Sequence, residues 1–423
     1  MKKIIVRGPA LTRSGYGEQT RFALRSLRAH QDRFDIYLFP VGWGQTGWLS
    51  DDDEERRWID SIITKTVHHQ NNGGVYDISL QVTIPNEWER MAPVNIGYTA
   101  GIETTKVSPE WIQKSMLMDK IIVVSNHSKD VYLNTSYSGV DQNTGQELKD
   151  VKCVTPIEVV NYSVRNIEPE KIDLKLDYDF NFISVAQWSP RKNLEDTIKW
   201  FIQEFMDDEV GLIIKASIKN NSIIDKYQTV KVVHELVTAC SAGKDRKCKI
   251  YLLHGDMSDG EMTSLYQNPK IKAFISLSHG EGFGLPIFEA SYNSLPVIAP
   301  NWSGQNDFLY APKKDKKGKT KMRPLFANVD YVLKQVQPEA VWPGVIQQDS
   351  FWCYPHPGDY RKNLRDVYKN YGQYKKQAKD LKKYIIENFT EETQYKKFAD
   401  FICPEEEFEI EDWLSNLDVK EIA

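Results

Sequence analysis

A chain of 423 residues with 41% apolar, 12% aromatic and 27% charged residues is long enough for two cores and too apolar for disorder. It holds no run of about 18 apolar residues, which excludes a membrane-spanning helix, and its net charge of only −5 announces no polyanionic partner for the chain as a whole. The five cysteines, Cys153, Cys240, Cys248, Cys353 and Cys403, show no CxxC pair or metal-ligand spacing, so a reducing, cytoplasmic setting is expected.

At the start, MKKIIVRGPA, Arg7 interrupts the apolar run before a signal-peptide core forms, and Ile4–Val6 reads as a first strand. Ser14-Gly15-Tyr16-Gly17 follows it and precedes a helical stretch; this GxG lacks the third glycine of a dinucleotide fingerprint, because Thr20 stands in that place. In the helical stretch Arg21, Arg25 and Arg28 share one face, opposite Ala23 and Leu27. Ile36–Phe39 reads as a second strand. Asp51-Asp52-Asp53 is a formal DxD, but it opens the acidic run DDDEE and reads as a solvated helix start with no metal expected. Val94–Tyr98, ahead of YTAGIETT, and Lys120–Val124 continue the strand pattern, and 135–150 is a polar insertion.

The charged, aperiodic stretch NIEPEKIDLKLDYD marks a boundary. It sets a first domain over 1–168, a linker over 169–180 and a second domain from 181. Phe182–Val185, Gly211–Lys215, Ile250–Leu253, Ala273–Leu277 and Pro296–Ala299 read as its strands. Between the first two, Leu194, Ile198, Phe201, Ile202 and Phe205 make one apolar helical stripe behind Asn193 as N-cap. Strands alternating with amphipathic helices give an α/β fold with parallel sheets.

Charge is unevenly spread. Residues 1–33 hold eight bases against two acids, the polar insertion 311–323 holds seven bases against one, and the tail after Pro404 holds eight acids against Lys420. In that tail Ile410, Trp413, Leu414 and Leu417 form an amphipathic face, so either packing on its own protein or docking to a protein partner is expected.

The most informative stretch is Phe274–Asp307, FISLSHGEGFGLPIFEASYNSLPVIAPNWSGQND, which reads strand, glycine-rich turn, helix, strand, loop. Gly282 and Gly284 leave backbone amides bare at a helix start, and Pro286 suits the first helical position, where its missing donor would be orphaned anyway. An anion fits there, with Glu281 just before the helix and Glu289 about one turn inside it. A second segment, FISVAQWSPRKN over Phe182–Asn193, ends a strand with the adjacent cations Arg191 and Lys192.

These segments resemble the retaining, family 4 glycosyltransferases of GT-B fold, whose signature EGFGLPxxEAxxxxxPVIA is matched closely from Glu281 to Ala299; the likeness covers about residues 1–310. The resemblance implies two Rossmann-like domains facing each other across a cleft, with 181–384 binding the donor and 385–423 returning towards the first domain. It implies that Glu281 contacts donor-sugar hydroxyls and Glu289 the donor ribose, with the Gly282 turn and the Phe283, Gly284 and Leu285 amides meeting sugar or phosphate. Lys192, assisted by Arg191, would neutralise the departing diphosphate. Gln187 stands where the family usually has an arginine. Gly15 and Gly17 match the glycine loop that faces the donor from the first domain, and His254 matches a position near the nucleobase, as a base contact or a structural histidine. No histidine lies between His69 and His127, so Glu103 is the substitute expected for the family's histidine near the reaction centre.

The function implied is transfer of a sugar from a nucleotide-diphosphate sugar to a hydroxyl with retention and without a metal or other cofactor. A glycan or small polyol is the acceptor expected. Two alternatives stand beside it: glycosylation of a hydroxylated base in DNA, held by the Arg21, Arg25 and Arg28 face and by 311–323, and binding of a nucleotide sugar without transfer.

Overall fold

Parallel strands flanked by helices are buried on both faces, and each half of the chain builds one such sheet from short apolar runs. The computed structural model describes residues 1–43, 51–140, 145–315 and 317–405. In the first half, β1 (Lys2–Gly8), β2 (Phe34–Pro40), β3 (Ile78–Val82), β4 (Val94–Thr99) and β5 (Lys120–Val123) alternate with α1 (Gly15–Arg28), α2 (Glu54–Asn71), α3 (Pro109–Ser115) and α4 (Asn126–Asn134). A hairpin, β6 (Tyr137–Val140) with β7 (Glu147–Val151), precedes β8 (Ile157–Val159), which completes a six-stranded parallel sheet of order β2-β1-β3-β4-β5-β8.

Strand β3 is absent from the strands expected, because Ser79 and Gln81 break its apolar run. Both are fully buried and bonded instead: Ser79 Oγ donates to Asn95 Oδ1 at 2.9 Å, and the Glu89 amide donates to Gln81 Oε1 at 3.0 Å.

The second half contains β9 (Asn181–Val185), β10 (Gly211–Lys215), β11 (Lys249–Leu253), β12 (Ile271–Ile275) and β13 (Val297–Pro300), with α5 (Leu194–Phe205), α6 (Ile223–Ser241), α7 (Asp259–Gln267) and α8 (Leu285–Tyr292) between them. Hairpin β14 (Tyr310–Lys314) and β15 (Thr320–Pro324) leads to edge strand β16 (Ala327–Val329), and a second hairpin pairs β17 (Tyr331–Gln335) with β18 (Phe351–Pro355). The parallel sheet runs β11-β10-β9-β12-β13-β16, the doubly wound Rossmann order. Both 135–150 and 311–323 therefore hold hairpins where aperiodic insertions are expected. A period of two needs one buried face, and β7 and β15 are exposed almost throughout.

Helix α5 buries the expected stripe, but Asn193 does not cap it through its side chain. A 3-10 turn at Pro190–Lys192 delivers the chain with Asn193 in the left-handed region at φ 51°, and the Asn193 carbonyl accepts from the Thr197 amide at 3.2 Å.

The chain closes with α9 (Pro357–Lys369), α10 (Tyr371–Asn388) and α11 (Glu391–Ile402). Residue 385 falls inside α10, which packs on α8, so the return crossing begins later, at Phe389. Helix α11 lies on α1, with Phe398 fully buried between Phe22 and Tyr98 and Arg33 paired to Asp400 at 2.7 Å. Residues 406–423, with Ile410, Trp413, Leu414 and Leu417, lie outside the described residues. Among the described residues no helix is long and apolar enough to cross a membrane.

Candidate functional site

Open parallel sheets bind ligands beyond the carboxyl ends of their strands, where the winding reverses. In the second sheet that point lies between β9 and β12, and in the first between β1 and β3. Arg191 and Lys192 follow β9, Glu281 follows β12, and Gly15 and Gly17 follow β1, so the pattern of strands alone brings these residues towards one cleft.

The approach is close because of glycines. A Cβ on Gly280 would meet the Glu103 carbonyl oxygen at 2.3 Å, and one on Gly282 would meet that of Ala100 at 2.3 Å. Loop 100–103 of the first domain therefore seats directly on the EGFG turn. Gly284, at φ +96°, bends the chain into α8 in a region side chains avoid, and Pro286 lies in the first turn.

Four charged groups meet at this contact. Lys192 Nζ lies 2.6 and 2.8 Å from the two oxygens of Glu281. Arg191 Nη1 is 3.3 Å from Glu281 Oε2, 3.3 Å from Glu103 Oε1 and 2.8 Å from the Gly280 carbonyl. The backbone amide of Glu281 donates to Ser303 Oγ at 2.8 Å, which fixes the turn itself. Burial alone would raise the Glu281 carboxyl, but Lys192 and Arg191 overcome it and hold it below the usual carboxylate range. Burial pulls the Lys192 ammonium down against the pull of Glu281, while Glu103 and Glu281 keep the Arg191 guanidinium above its ordinary value despite burial. Two cations and two carboxylates therefore balance one another at this contact.

Glu289 sits one turn into α8 and accepts from the Tyr266 hydroxyl at 3.0 Å. Burial pushes its carboxyl up to about 7, with Asp259 and Glu18 adding to the rise. Facing it, Arg165 pairs with Asp259 at 2.7 Å. In the first-domain loop, Ser14 Oγ accepts from the Gly17 amide at 3.0 Å; Gly17 is packed against the Thr12 carbonyl, whereas Gly15 is exposed with open space beside it. Arg13 spans the cleft, donating to the Met257 carbonyl and pairing with Asp51 at 2.7 Å.

Other candidates stand elsewhere. His254 has its ring buried, with Nε2 2.8 Å from Asp225, which also accepts from the Ile218 and Lys219 amides. Its side chain therefore braces the 218–220 loop and does not present an edge to a base. Gln187 is exposed and donates to the Ile218 carbonyl at 2.9 Å, so it supports that same loop and adds no charge to the cluster. Phe283 points into the core against Tyr162 and Phe308, which leaves its amide as its contribution, and Leu285 packs beside it at the helix start. Asp53 caps α2 by accepting from the Arg56 amide at 2.7 Å, while Asp52 pairs with Arg57 at 2.9 Å, the helix-start reading of the DDDEE run.

The arginine face on α1 corrects an expectation. Arg21 donates to the Ala10 and Thr12 carbonyls, Arg25 lies between Glu18 and Glu55, and Arg28 pairs with Glu54 over the Trp58 ring. Carboxylates pair with Arg25 and Arg28 and backbone carbonyls hold Arg21, so the three arginines do not form one bare cationic face.

Sequence reasoning missed one junction. Asp307 Oδ2 accepts from the Asn126 amide at 2.9 Å and from the Asn161 side chain at 2.9 Å, joining the end of the PVIA loop to the first domain. Asn126 opens α4 just after β5 and Asn161 follows β8, positions from which such a contact is readable once the two domains are placed face to face.

Residues 166–314 match the family model described as glycosyl transferases group 1. Among solved structures, HepE from Anabaena in complex with UDP and glucose is 14% identical, covering 95% of this chain and 99% of that one with a TM-score of 0.57. Sucrose-phosphate synthase from Thermosynechococcus elongatus is 12% identical over 98% and 100%, at 0.59. The lipopolysaccharide outer core galactosyltransferase WaaB, in its apo form, is 13% identical over 95% and 99%, at 0.51. No curated protein matches the sequence. At such identities the likeness is one of fold. The chain is thus a protein of GT-B fold, two Rossmann-like domains across a cleft, whose stretch 166–314 matches glycosyl transferases group 1 with Arg191, Lys192, Glu281 and Glu289 inside it.

Proposed function

We propose that the protein is a glycosyltransferase that takes a sugar from a nucleotide-diphosphate donor and passes it to a hydroxyl of a glycan or small polyol with retention. The observation that carries this reading is the Lys192–Glu281–Arg191–Glu103 cluster at the winding reversal of the donor sheet.

The diphosphate rests at the start of α8, against the Phe283, Gly284 and Leu285 amides, with Lys192 and Arg191 turned from Glu281 to its oxygens. Glu281, released from part of its pairing, accepts from hydroxyls of the donor sugar. Glu289, as carboxylate, accepts from the ribose. In the reaction the bond between the anomeric carbon and the phosphate oxygen breaks, and the acceptor oxygen bonds to that carbon on the same face. The acceptor proton passes to the departing diphosphate, so the step balances without a protein nucleophile. Catalysis rests on positioning and on charge stabilisation by the two cations. Glu103 holds Arg191 from the first domain and couples domain closure to that stabilisation. Side chains supply the positive charge, so turnover is expected to persist in EDTA.

Incubation with a panel of UDP-, GDP-, ADP- and dTDP-sugars tests the reading. Slow release of free nucleotide to water from one of them is expected, with the anomeric configuration of a transferred product retained by NMR. Tight binding of a nucleotide sugar with no release, under conditions where acceptors are also supplied, would contradict transfer.

A further inference from the structure

Two basic segments stand out in the sequence, and the fold treats them oppositely. The α1 arginines meet Glu18, Glu54 and Glu55, as described. Among the described residues, hairpin β14–β15 meets a single carboxylate from outside itself. Its one acid, Asp315, accepts from the Lys317 and Lys319 amides and is held within its own turn. Lys313 pairs with Asp380 of α10 at 2.6 Å, which fastens the hairpin to that helix. Lys314, Lys317, Lys319, Lys321 and Arg323 are exposed and have no carboxylate partner among the described residues. Lys313 lies directly across the ladder from Lys321, an arrangement that destabilises a hairpin unless something else compensates.

Helix α10 extends the same surface. Ala378, Leu381 and Ile385 face the core, and the opposite stripe Lys376, Lys379, Lys383, Ile386 is exposed at helical spacing. Burial lowers Lys375, and the nearby charges of Lys379, Lys272 and Lys382 lower it further, a measure of how densely positive this flank is. Each element also exposes one large apolar side chain: Met322 on β15 is 52% exposed and Ile386 on α10 is 43% exposed.

We propose that this flank of the donor domain docks on an anionic membrane surface, with its lysines over lipid phosphates and Met322 and Ile386 entering the headgroup layer. Lysine is a hydrated point charge suited to diffuse attraction and carries no planar fork for reading bases. Exposed apolar groups set among cations suit a lipid interface and gain nothing over a phosphodiester backbone. Lys272 lies near the amino end of β12, whereas the Lys192–Glu281 cluster lies beyond the carboxyl ends of the same sheet, so docking does not cover that cluster. The inference does not rest on the sugar-transfer reading.

Co-sedimentation of the full chain with vesicles tests it, comparing phosphatidylcholine alone with phosphatidylcholine carrying about one third phosphatidylglycerol at low salt. The wild type is expected to partition onto the anionic vesicles only, and to be released by salt. Lys314→Glu, Lys321→Glu, Lys379→Glu and Lys383→Glu combined should weaken partitioning by at least about 100-fold. Met322→Ala with Ile386→Ala should weaken it by roughly five- to tenfold. An unchanged thermal melt in both variants separates lost docking from lost folding. Failure of the wild type to partition, equal partitioning by the charge-reversed variant, or duplex DNA binding as tight as vesicle binding would each overturn the proposal.

Discussion

Glu281→Gln removes one carboxylate from the cluster and keeps its shape. In the free protein Lys192 holds both oxygens of Glu281, at 2.6 and 2.8 Å, so a nucleotide diphosphate must displace that contact. A unit pair about 4 Å apart at an effective dielectric of about 20 is worth about 4 kcal/mol. Desolvation leaves a net of roughly 1–3 kcal/mol for a charged hydrogen bond. The substitution should therefore tighten binding of the bare nucleotide diphosphate by roughly 5- to 150-fold, because it carries no sugar to miss the lost carboxylate. Nucleotide release from the sugar donor should instead fall by about 100- to 1,000-fold. Titration calorimetry with UDP, GDP, ADP and dTDP measures the first effect, and the release assay measures the second. Weaker binding of the bare nucleotide, in step with lost turnover, would refute the competition between Glu281 and the diphosphate for Lys192.

Lys192→Ala is expected to lower both nucleotide binding and release, and to destabilise the fold by about 3–5 kcal/mol, because it leaves a buried carboxylate facing Arg191 alone; chemical denaturation checks the latter. Glu289 has a folded-state value raised to about 7, so the native state holds a proton that the unfolded chain has lost, and stability falls as pH rises from the ordinary carboxylate range through about 7. Nucleotide binding should move the opposite way and strengthen through about pH 7 as the carboxylate forms; Glu289→Gln, followed by melts and calorimetry across that window, should show neither trend. Phe398→Ala opens a fully buried site under the returning helix and should cost about 3–5 kcal/mol in urea unfolding while leaving the Lys192–Glu281 contact in place.

The second domain was legible wherever burial imposed a period. Runs such as Phe182–Val185 and Gly211–Lys215 are apolar because both faces are covered, and the stripe from Leu194 to Phe205 repeats because one face is. Legibility failed where polar side chains replaced water with partners inside the protein, as Ser79 and Gln81 do in β3, and where both faces of a hairpin met solvent. Within the site, Glu281, Arg191 and Lys192 were visible as motif residues, and Glu103 as an acid at a strand end. What the sequence withheld was their mutual pairing, since the contact of Arg191 with Glu103 depends on the two domains meeting there and on Gly280 being small. For a related reason the sequence did not show the partners of His254 and Gln187, which are Asp225 and the Ile218 carbonyl.

The most direct test of the site is calorimetric titration of UDP, GDP, ADP and dTDP into the wild type and into a variant combining Arg191→Ala with Lys192→Ala. Saturable, one-to-one binding of at least one nucleotide is expected for the wild type, and none for the variant at the same concentrations. Wild-type affinity retained by the variant would mean that the diphosphate lodges elsewhere.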